Sequence, residues 1–119
     1  MTASKALELA NKQRNLAQKL NEYSKKLKQL QDHNKLEEED LEKARQLDEL
    51  IIKIEEIEIK LFTNDENNKQ TIQDLKQTIK DSQDCLNDID HEDIKSLIKD
   101  SEKLFLDTSK LVEDIAKLI

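Results

Sequence analysis

The side chains that could do chemistry in this chain are carboxylates, two histidines and one cysteine. His33 and His91 each lie in a polar stretch, without a second His or a Cys three or four residues away, the spacing at which a helix presents two metal ligands. Cys85 has acidic neighbours, which disfavour the thiolate form that a nucleophile needs. We therefore expect Cys85 to be a small buried side chain in a reducing compartment, and we expect no bound metal or cofactor.

The carboxylates form two dense groups, and neither predicts a catalytic pair. Residues 37–40 are four consecutive acids, whose side chains point in different directions on a helix. Asp84, Asp88, Asp90 and Asp93 fit helix capping and a solvated face better than a cation site. The chain also lacks the glycine that a phosphate-binding loop or an EF-hand loop requires. The sequence thus favours a protein that is not an enzyme.

The elements that carry these side chains must be almost entirely helical, because the 119 residues include neither glycine nor proline. Glycine permits tight turns with positive φ, and proline ends helices. Without them the chain must turn with Asn, Asp, Thr and His, which gather near positions 33, 64 and 90. We predict one all-α domain over residues 1–119, with helices at roughly 3–32, 35–62, 65–87 and 91–118.

The three breaks leave three architectures open. Two arms folded only near residue 64 would form an antiparallel hairpin about 90 Å long at 1.5 Å per residue. Reversal at all three breaks would give a compact four-helix bundle, and one straight arm beside a bent arm would give three helices. All three use coiled-coil-like heptad packing, and periodicity does not choose among them.

The apolar stripe of the first segment recurs at alternating intervals of four and three residues, which predicts a heptad face. Its members are Leu9, Leu16, Leu20, Tyr23, Leu27 and Leu30, with Gln13 in the gap. Continued beyond residue 34, this register would place Asp48 and Glu55 in the core, so we predict that the second segment restarts with a new stripe. That stripe comprises Leu36, Ala44, Leu47, Leu50, Ile54, Ile57 and Leu61, and it is widened by Leu41, Ile51, Ile52 and Ile59.

The later segments also show helical periodicity. Apolar groups cover more than half the circumference of the second segment, which predicts a central helix or contact with a second chain. The third segment has a thin stripe, formed by Ile72, Leu75, Ile79, Leu86 and Ile89. The fourth has three adjacent heptad rows, which begin at Ile94, Leu97 and Ile98 and predict a wide face that touches two neighbours.

Polar side chains at the breaks predict how each helix begins. The expected caps are Thr2 or Ser4 for the first helix, Asn34 with Glu37 for the second, Thr63 with Glu66 for the third, and Asp90 with Asp93 for the fourth.

Two surfaces are candidates for binding. The net charge is −7, but residues 1–34 carry seven Lys or Arg against three acids. The basic face of the first helix comprises Lys12, Arg14, Lys19, Lys25, Lys26 and Lys28. Apolar residues in excess of a core predict an interaction surface at Ile52, Ile59, Ile98, Phe105, Leu106, Val112 and Ile119.

These features predict a scaffold subunit that associates with other helical chains as a homo- or hetero-oligomer. Two alternatives are a regulatory module that captures a client helix in a groove, and an adaptor whose basic helix binds a membrane surface or a cytoskeletal polymer. The acidic pI of about 4.9 and the single aromatic residue in the basic segment disfavour nucleic acid. Because we find no membrane-spanning run and no secretory signal, we expect an intracellular protein of the cytoplasm or nucleus.

Overall fold

The chain reverses direction at each predicted break and folds as an all-α four-helix bundle in the computed structural model, which describes residues 2–62 and 66–119. Helix α1 spans Ala3–Asp32, α2 spans Glu38–Ile59, α3 spans Lys69–Asp90 and α4 spans Ile94–Ala116, with a short 3-10 turn at Glu66–Asn68. The bundle measures 47 × 21 × 18 Å. Of the three architectures, the compact bundle is therefore the one adopted.

The four helices form a ring that is open along one side. Helix α1 packs along α4, α4 along α3, and α3 along α2, whereas α1 and α2 touch at few points. The apolar core lies in two clusters, one around Ile51, Leu97 and Leu104 and the other around Leu75 and Leu111. The α1–α2 seam is the least closed part of the bundle.

Helices α1 and α4 bury largely the faces that their periodicity predicts. The buried face of α1 follows the predicted heptad and adds Ala6, Ala10, Ala17 and Ser24, while Tyr23 and Leu30 are half-buried. In α4, two of the three predicted rows supply the buried residues, which are Leu97, Ser101, Leu104, Thr108, Leu111 and Ile115. Small side chains at the interface allow these helices to approach closely.

Helix α2 is rotated by about 100°, or one residue, from the predicted orientation. Its buried residues are Ala44, Asp48, Ile51, Glu55 and Glu58. This is the α1 register that the sequence argument rejected. Of the predicted stripe, Ala44 and the widening residue Ile51 are buried, whereas Leu50, Ile57 and Leu61 are exposed. The prediction was wrong because it treated buried carboxylates as excluded, although the neighbouring helices supply hydrogen-bond partners.

Helix α3 shows a milder version of the same effect. Leu75 and Ile89 are buried as predicted, whereas Ile72, Ile79 and Leu86 are half-buried. The remaining buried residues of α3 are polar or small: Thr71, Asp74, Thr78, Asp81, Ser82 and Cys85.

Two turns end their helices with the same hydrogen-bond motif and without glycine. After α1, Asn34 has φ 54°, its N–H donates to the carbonyl of Gln31, and the N–H of Lys35 donates to the carbonyl of Leu30. This is a Schellman motif, in which a left-handed residue ends the helix. After α3, Glu92 takes the same role with φ 54°, although the left-handed region favours glycine.

These turns shift the caps relative to the predictions. Asn34 does not cap α2, because Glu37 occupies that position in a reciprocal capping box with Asp40. Asp90 likewise does not cap α4, because the carboxylate of Asp93 accepts the N–H of Ser96.

The two remaining cap predictions concern α1 and α3. Thr2 caps α1 as one of its two predicted candidates, since its hydroxyl oxygen accepts the N–H of Lys5. The predicted Thr63 cap lies outside the described residues, and α3 begins at Lys69, four residues later than expected.

Candidate functional site

A concave site of about 310 Å³ lies on the α1–α2 seam. It is lined by Lys19, Glu22, Tyr23 and Lys26 of α1 and by Leu47 of α2. The hydroxyl of Tyr23 donates a 2.6 Å hydrogen bond to the carbonyl oxygen of Asp40, which ties the start of α2 to α1. Burial, followed by the charges of Asp40 and Asp48, raises the pKa of Tyr23 to about 12, so this phenol remains a donor.

The α2 side of the seam presents a row of aliphatic side chains, which we call the aliphatic stripe. It comprises Leu47, Leu50, Ile54 and Ile57, which fall within about 80° of arc on one face of α2, and Leu61, which lies two residues beyond the end of this helix. Leu50 is 44% exposed, Ile57 62% and Leu61 42%, while Leu47 and Ile54 are half-buried against the core. Large apolar groups in a continuous exposed row are typical of an interaction surface.

The α1 side of the seam presents a row of cations, which we call the lysine row. Lys12, Lys19 and Lys26 recur every seven residues, which places them within about 40° of arc on one face of α1. Lys19 and Lys26 line the concave site. Lys12 is close enough to Glu58 on α2 for its charge to lower the pKa of that carboxyl group. The seam therefore has one aliphatic wall and one basic wall.

Beneath this seam lies a buried hydrogen-bond network contributed by three helices. The side-chain nitrogen of Gln13 on α1 donates to Glu55 Oε1 at 2.5 Å and to Glu58 Oε2 at 2.6 Å. The hydroxyl of Thr78 on α3 donates to Glu55 Oε2 at 3.0 Å. Among the described residues, Gln13 Oε1 and Glu58 Oε1 have no hydrogen-bond partner. The network thus holds two carboxyl groups between α1 and α3.

Burial raises the pKa of each acid on the inner face of α2. For Glu55 the raised pKa is about 8, although hydrogen bonds from Gln13 and Thr78 oppose the shift. For Glu58 it is about 7, opposed by the hydrogen bond from Gln13 and the charges of Lys12 and Lys5.

Asp48 extends this row of buried acids toward the other end of α2, and burial raises its pKa to about 8. At mildly acidic pH all three acids are therefore neutral, which lowers the cost of burying them.

A second polar seam joins α3 to α4. The buried Asp81 accepts a 2.7 Å hydrogen bond from Lys103, which also bonds Asp107 at 3.2 Å. Burial raises the pKa of Asp81, and the hydrogen bond with Asp107 raises it further. About two helical turns further along α3, burial and a hydrogen bond with Asp100 raise the pKa of Asp88 to about 7. The carboxyl groups of Asp81 and Asp107 thus join α3 to α4 through Lys103. A concave site of about 500 Å³ lies on the same seam, lined by residues of α3 and by Asp107 and Lys110 of α4.

Cys85 lies inside the bundle, as the sequence predicts. It has no exposed surface, and its Sγ lies 3.8 Å from the hydroxyl oxygen of Ser101. Burial and, to a smaller extent, the charge of Asp48 raise the pKa of this thiol. In residues 2–62 and 66–119 no group of three or more His, Cys, Asp or Glu side chains is arranged to hold a metal ion.

The seven apolar residues predicted as an interaction surface do not come together. Two lie on α2 and the others on α4 or just after it, and these helices occupy opposite corners of the ring. Ile59, Ile98 and Phe105 pack partly against the core. Ile52 and Val112 are half-buried, and Leu106 and Ile119 are exposed.

The six predicted basic residues divide into two groups of three. Lys12, Lys19 and Lys26 form the lysine row, whereas Arg14, Lys25 and Lys28 lie about 160–220° further round α1. Arg14 is exposed and bonds the side chain of Asn11.

Sequence reasoning missed the exposure of Leu50, Ile57 and Leu61. The sequence already contained a signal for this exposure, since apolar groups cover more than half of α2 and one helix cannot bury every side.

None of the described helices is both long and apolar enough to cross a membrane. No protein-family model, curated protein or solved structure matches this chain.

Proposed function

We propose that this chain is a non-enzymatic protein-interaction module that associates with other helices through the aliphatic stripe of α2. The observation that carries the proposal is the contrast between the two faces of this helix. Its inner face buries Asp48, Glu55 and Glu58, while Leu50 and Ile57 on its outer face remain in solvent. A sequence that needed stability alone would do the reverse, because burying carboxyl groups is costly and burying aliphatic groups is favourable.

The position of the stripe supports the same function. It borders the α1–α2 seam, where the ring of helices is open, so a further helix can lie along it without displacing a packed neighbour. Violations of the usual burial pattern tend to occur where function requires them. The aliphatic stripe is therefore the surface through which we propose that this chain joins an assembly of helical chains.

A direct test compares stability with association. In a variant with Leu50→Gln, Ile57→Gln and Leu61→Gln, we expect the free energy of unfolding to change by less than about 1 kcal/mol, because the three side chains are already exposed. We expect the same variant to lose association. Association of the full chain with itself is measured by sedimentation. Association with another helix is measured as binding of a helical peptide of about 18 residues, which has a Leu/Ile stripe and Gln flanks and is titrated up to about 200 μM.

The control is Leu106→Gln, which removes an apolar residue that is 64% exposed on α4. It should leave association unchanged, because single exposed apolar residues are common on protein surfaces. The proposal fails if the full chain neither self-associates nor binds a helical peptide, or if association is the same in the triple variant.

A further inference from the structure

We infer that the α1–α2 seam is a docking groove for an amphipathic helix whose apolar face is flanked by Asp or Glu side chains. This inference names the partner class of the proposed function and rests on that function. It is carried by the juxtaposition of the aliphatic stripe on α2 with the lysine row on α1.

The length of the groove sets the size of its occupant. From Leu47 to Ile57 the helical part of the stripe runs about 15 Å, which is nearly three turns at 1.5 Å per residue, and Leu61 follows just after the helix ends. One end of the seam is closed by the hydrogen bond from Tyr23 to Asp40. Toward the other end of the seam, the hydrogen-bond network of Gln13 with Glu55 and Glu58 forms the base of the groove. An occupant therefore lies along the seam and contacts both walls.

The walls determine which side chains the occupant carries. Apolar residues at helical spacing of i, i+3, i+4 and i+7 match the aliphatic stripe. The flank that faces α1 meets Lys12, Lys19 and Lys26, and on the outer side of the stripe Lys53 follows Ile57 around α2. Glu22 is the one acid among the residues that line the concave site. Beyond Lys53 the exposed acids Glu49 and Glu56 continue around α2, so opposite charge on the occupant is favoured on the flank that faces α1.

A second copy of this chain fits the groove less well than an acidic partner. In an antiparallel pair of copies joined stripe to stripe, equivalent flanks lie on the same side, so the two lysine rows would lie near each other. Like charges brought together across an interface disfavour the complex. An acidic helix avoids this repulsion and neutralises the row.

The test uses the full chain and three labelled peptides that share one Leu/Ile stripe and differ in their flanks, which carry Glu, Gln or Lys. Fluorescence anisotropy at about 50 mM salt, where screening is weak, measures each affinity. We expect the Glu-flanked peptide to bind at least about tenfold more tightly than the Lys-flanked peptide, with the difference decreasing as salt rises.

Two charge-matched variants locate the interaction. The first is a triple variant of the lysine row, with Lys12→Gln, Lys19→Gln and Lys26→Gln. It should weaken binding of the Glu-flanked peptide by about tenfold, because three partly exposed ion pairs are lost. The second is a triple variant with Arg14→Gln, Lys25→Gln and Lys28→Gln, which removes the same net charge from the far side of α1. It should change the affinity for the Glu-flanked peptide by less than about twofold.

The outcomes separate the inference from the proposed function. Equal binding of the Glu- and Lys-flanked peptides, or equal weakening by the two triple variants, overturns the inference while a stripe-dependent interaction still stands. Self-association through the stripe without peptide binding makes a second copy the occupant and also overturns the inference. Absence of both self-association and peptide binding overturns the inference and the proposed function together.

Discussion

At the scale of single residues, Glu55 determines how α2 sits in the bundle. This carboxylic acid has no exposed surface and is held by Gln13 from α1 and Thr78 from α3. Glu58, the next buried acid on its own helix, shares the Gln13 donor. The pattern of apolar residues could not reveal this arrangement, because the partners that make the burial tolerable come from other helices. The burial of Cys85, by contrast, was predictable, since this small side chain lies beside the apolar stripe of the third segment.

The raised pKa values predict that the free energy of unfolding falls as pH rises from about 5 to 8. Glu55 has an ordinary value of 4.5 in the unfolded chain and a pKa of about 8 in the folded protein. Between these values the folded state binds more protons, so stability decreases with pH by up to about 1.4 kcal/mol per pH unit for such a group. Asp48 and Glu58 contribute in the same direction.

The variant Glu55→Gln removes one of these titrations. We expect it to unfold with a free energy similar to the parent near pH 4.5, but higher by at least about 1 kcal/mol at pH 8, where the parent must ionise a buried acid. Denaturant titrations at several pH values measure the difference. Glu56→Gln, the same change on the exposed neighbour, is the control. Parallel pH profiles for Glu55→Gln and the parent would show that Glu55 is not buried.

At the scale of elements, periodicity predicted much of α1 and α4 and was misleading for α2. Helices α1 and α4 have one dominant apolar face, so pattern and burial agree. Helix α2 has two faces that could pack: an aliphatic one through Leu50 and Ile57, and a mixed one through Ile51 and Glu55. Periodicity alone selects the more aliphatic face, whereas packing between α1 and α3 selected the mixed face. The breaks were located correctly, but the caps near Asn34 and Asp90 were displaced by the left-handed residues.

Glycine is absent from both Schellman turns, so we expect a glycine substitution at the left-handed residue to increase the stability of the fold. The left-handed conformation of Glu92 costs about 1–2 kcal/mol for a residue with a Cβ atom, and glycine avoids this cost. We expect Glu92→Gly to raise the free energy of unfolding by about 1 kcal/mol, measured by chemical denaturation. Glu92→Ala keeps the Cβ atom and serves as the control. A loss of stability in Glu92→Gly would contradict the assigned turn.

For the whole molecule, the open ring explains how a packed bundle leaves the aliphatic stripe exposed. Three of the four neighbouring helix pairs are packed along their lengths, and they hold α1 and α2 in place beside each other. The α1–α2 seam then needs few contacts of its own. The sequence predicted an all-α fold and an excess of apolar surface, but the location of that surface followed from the rotation of α2, which depends on three other helices.

Two alanine variants of the full chain test whether α2 turns Ile51 inward and Ile57 outward. The measurement is the free energy of unfolding by chemical denaturation, with each variant shown to be monomeric at the concentration used. For Ile51→Ala, whose side chain has no exposed surface, we expect a loss of about 2–5 kcal/mol. For Ile57→Ala we expect a change within about 0.5 kcal/mol, because Ile57 is 62% exposed. A large loss for Ile57→Ala together with a small one for Ile51→Ala would place the aliphatic stripe in the core and contradict the groove.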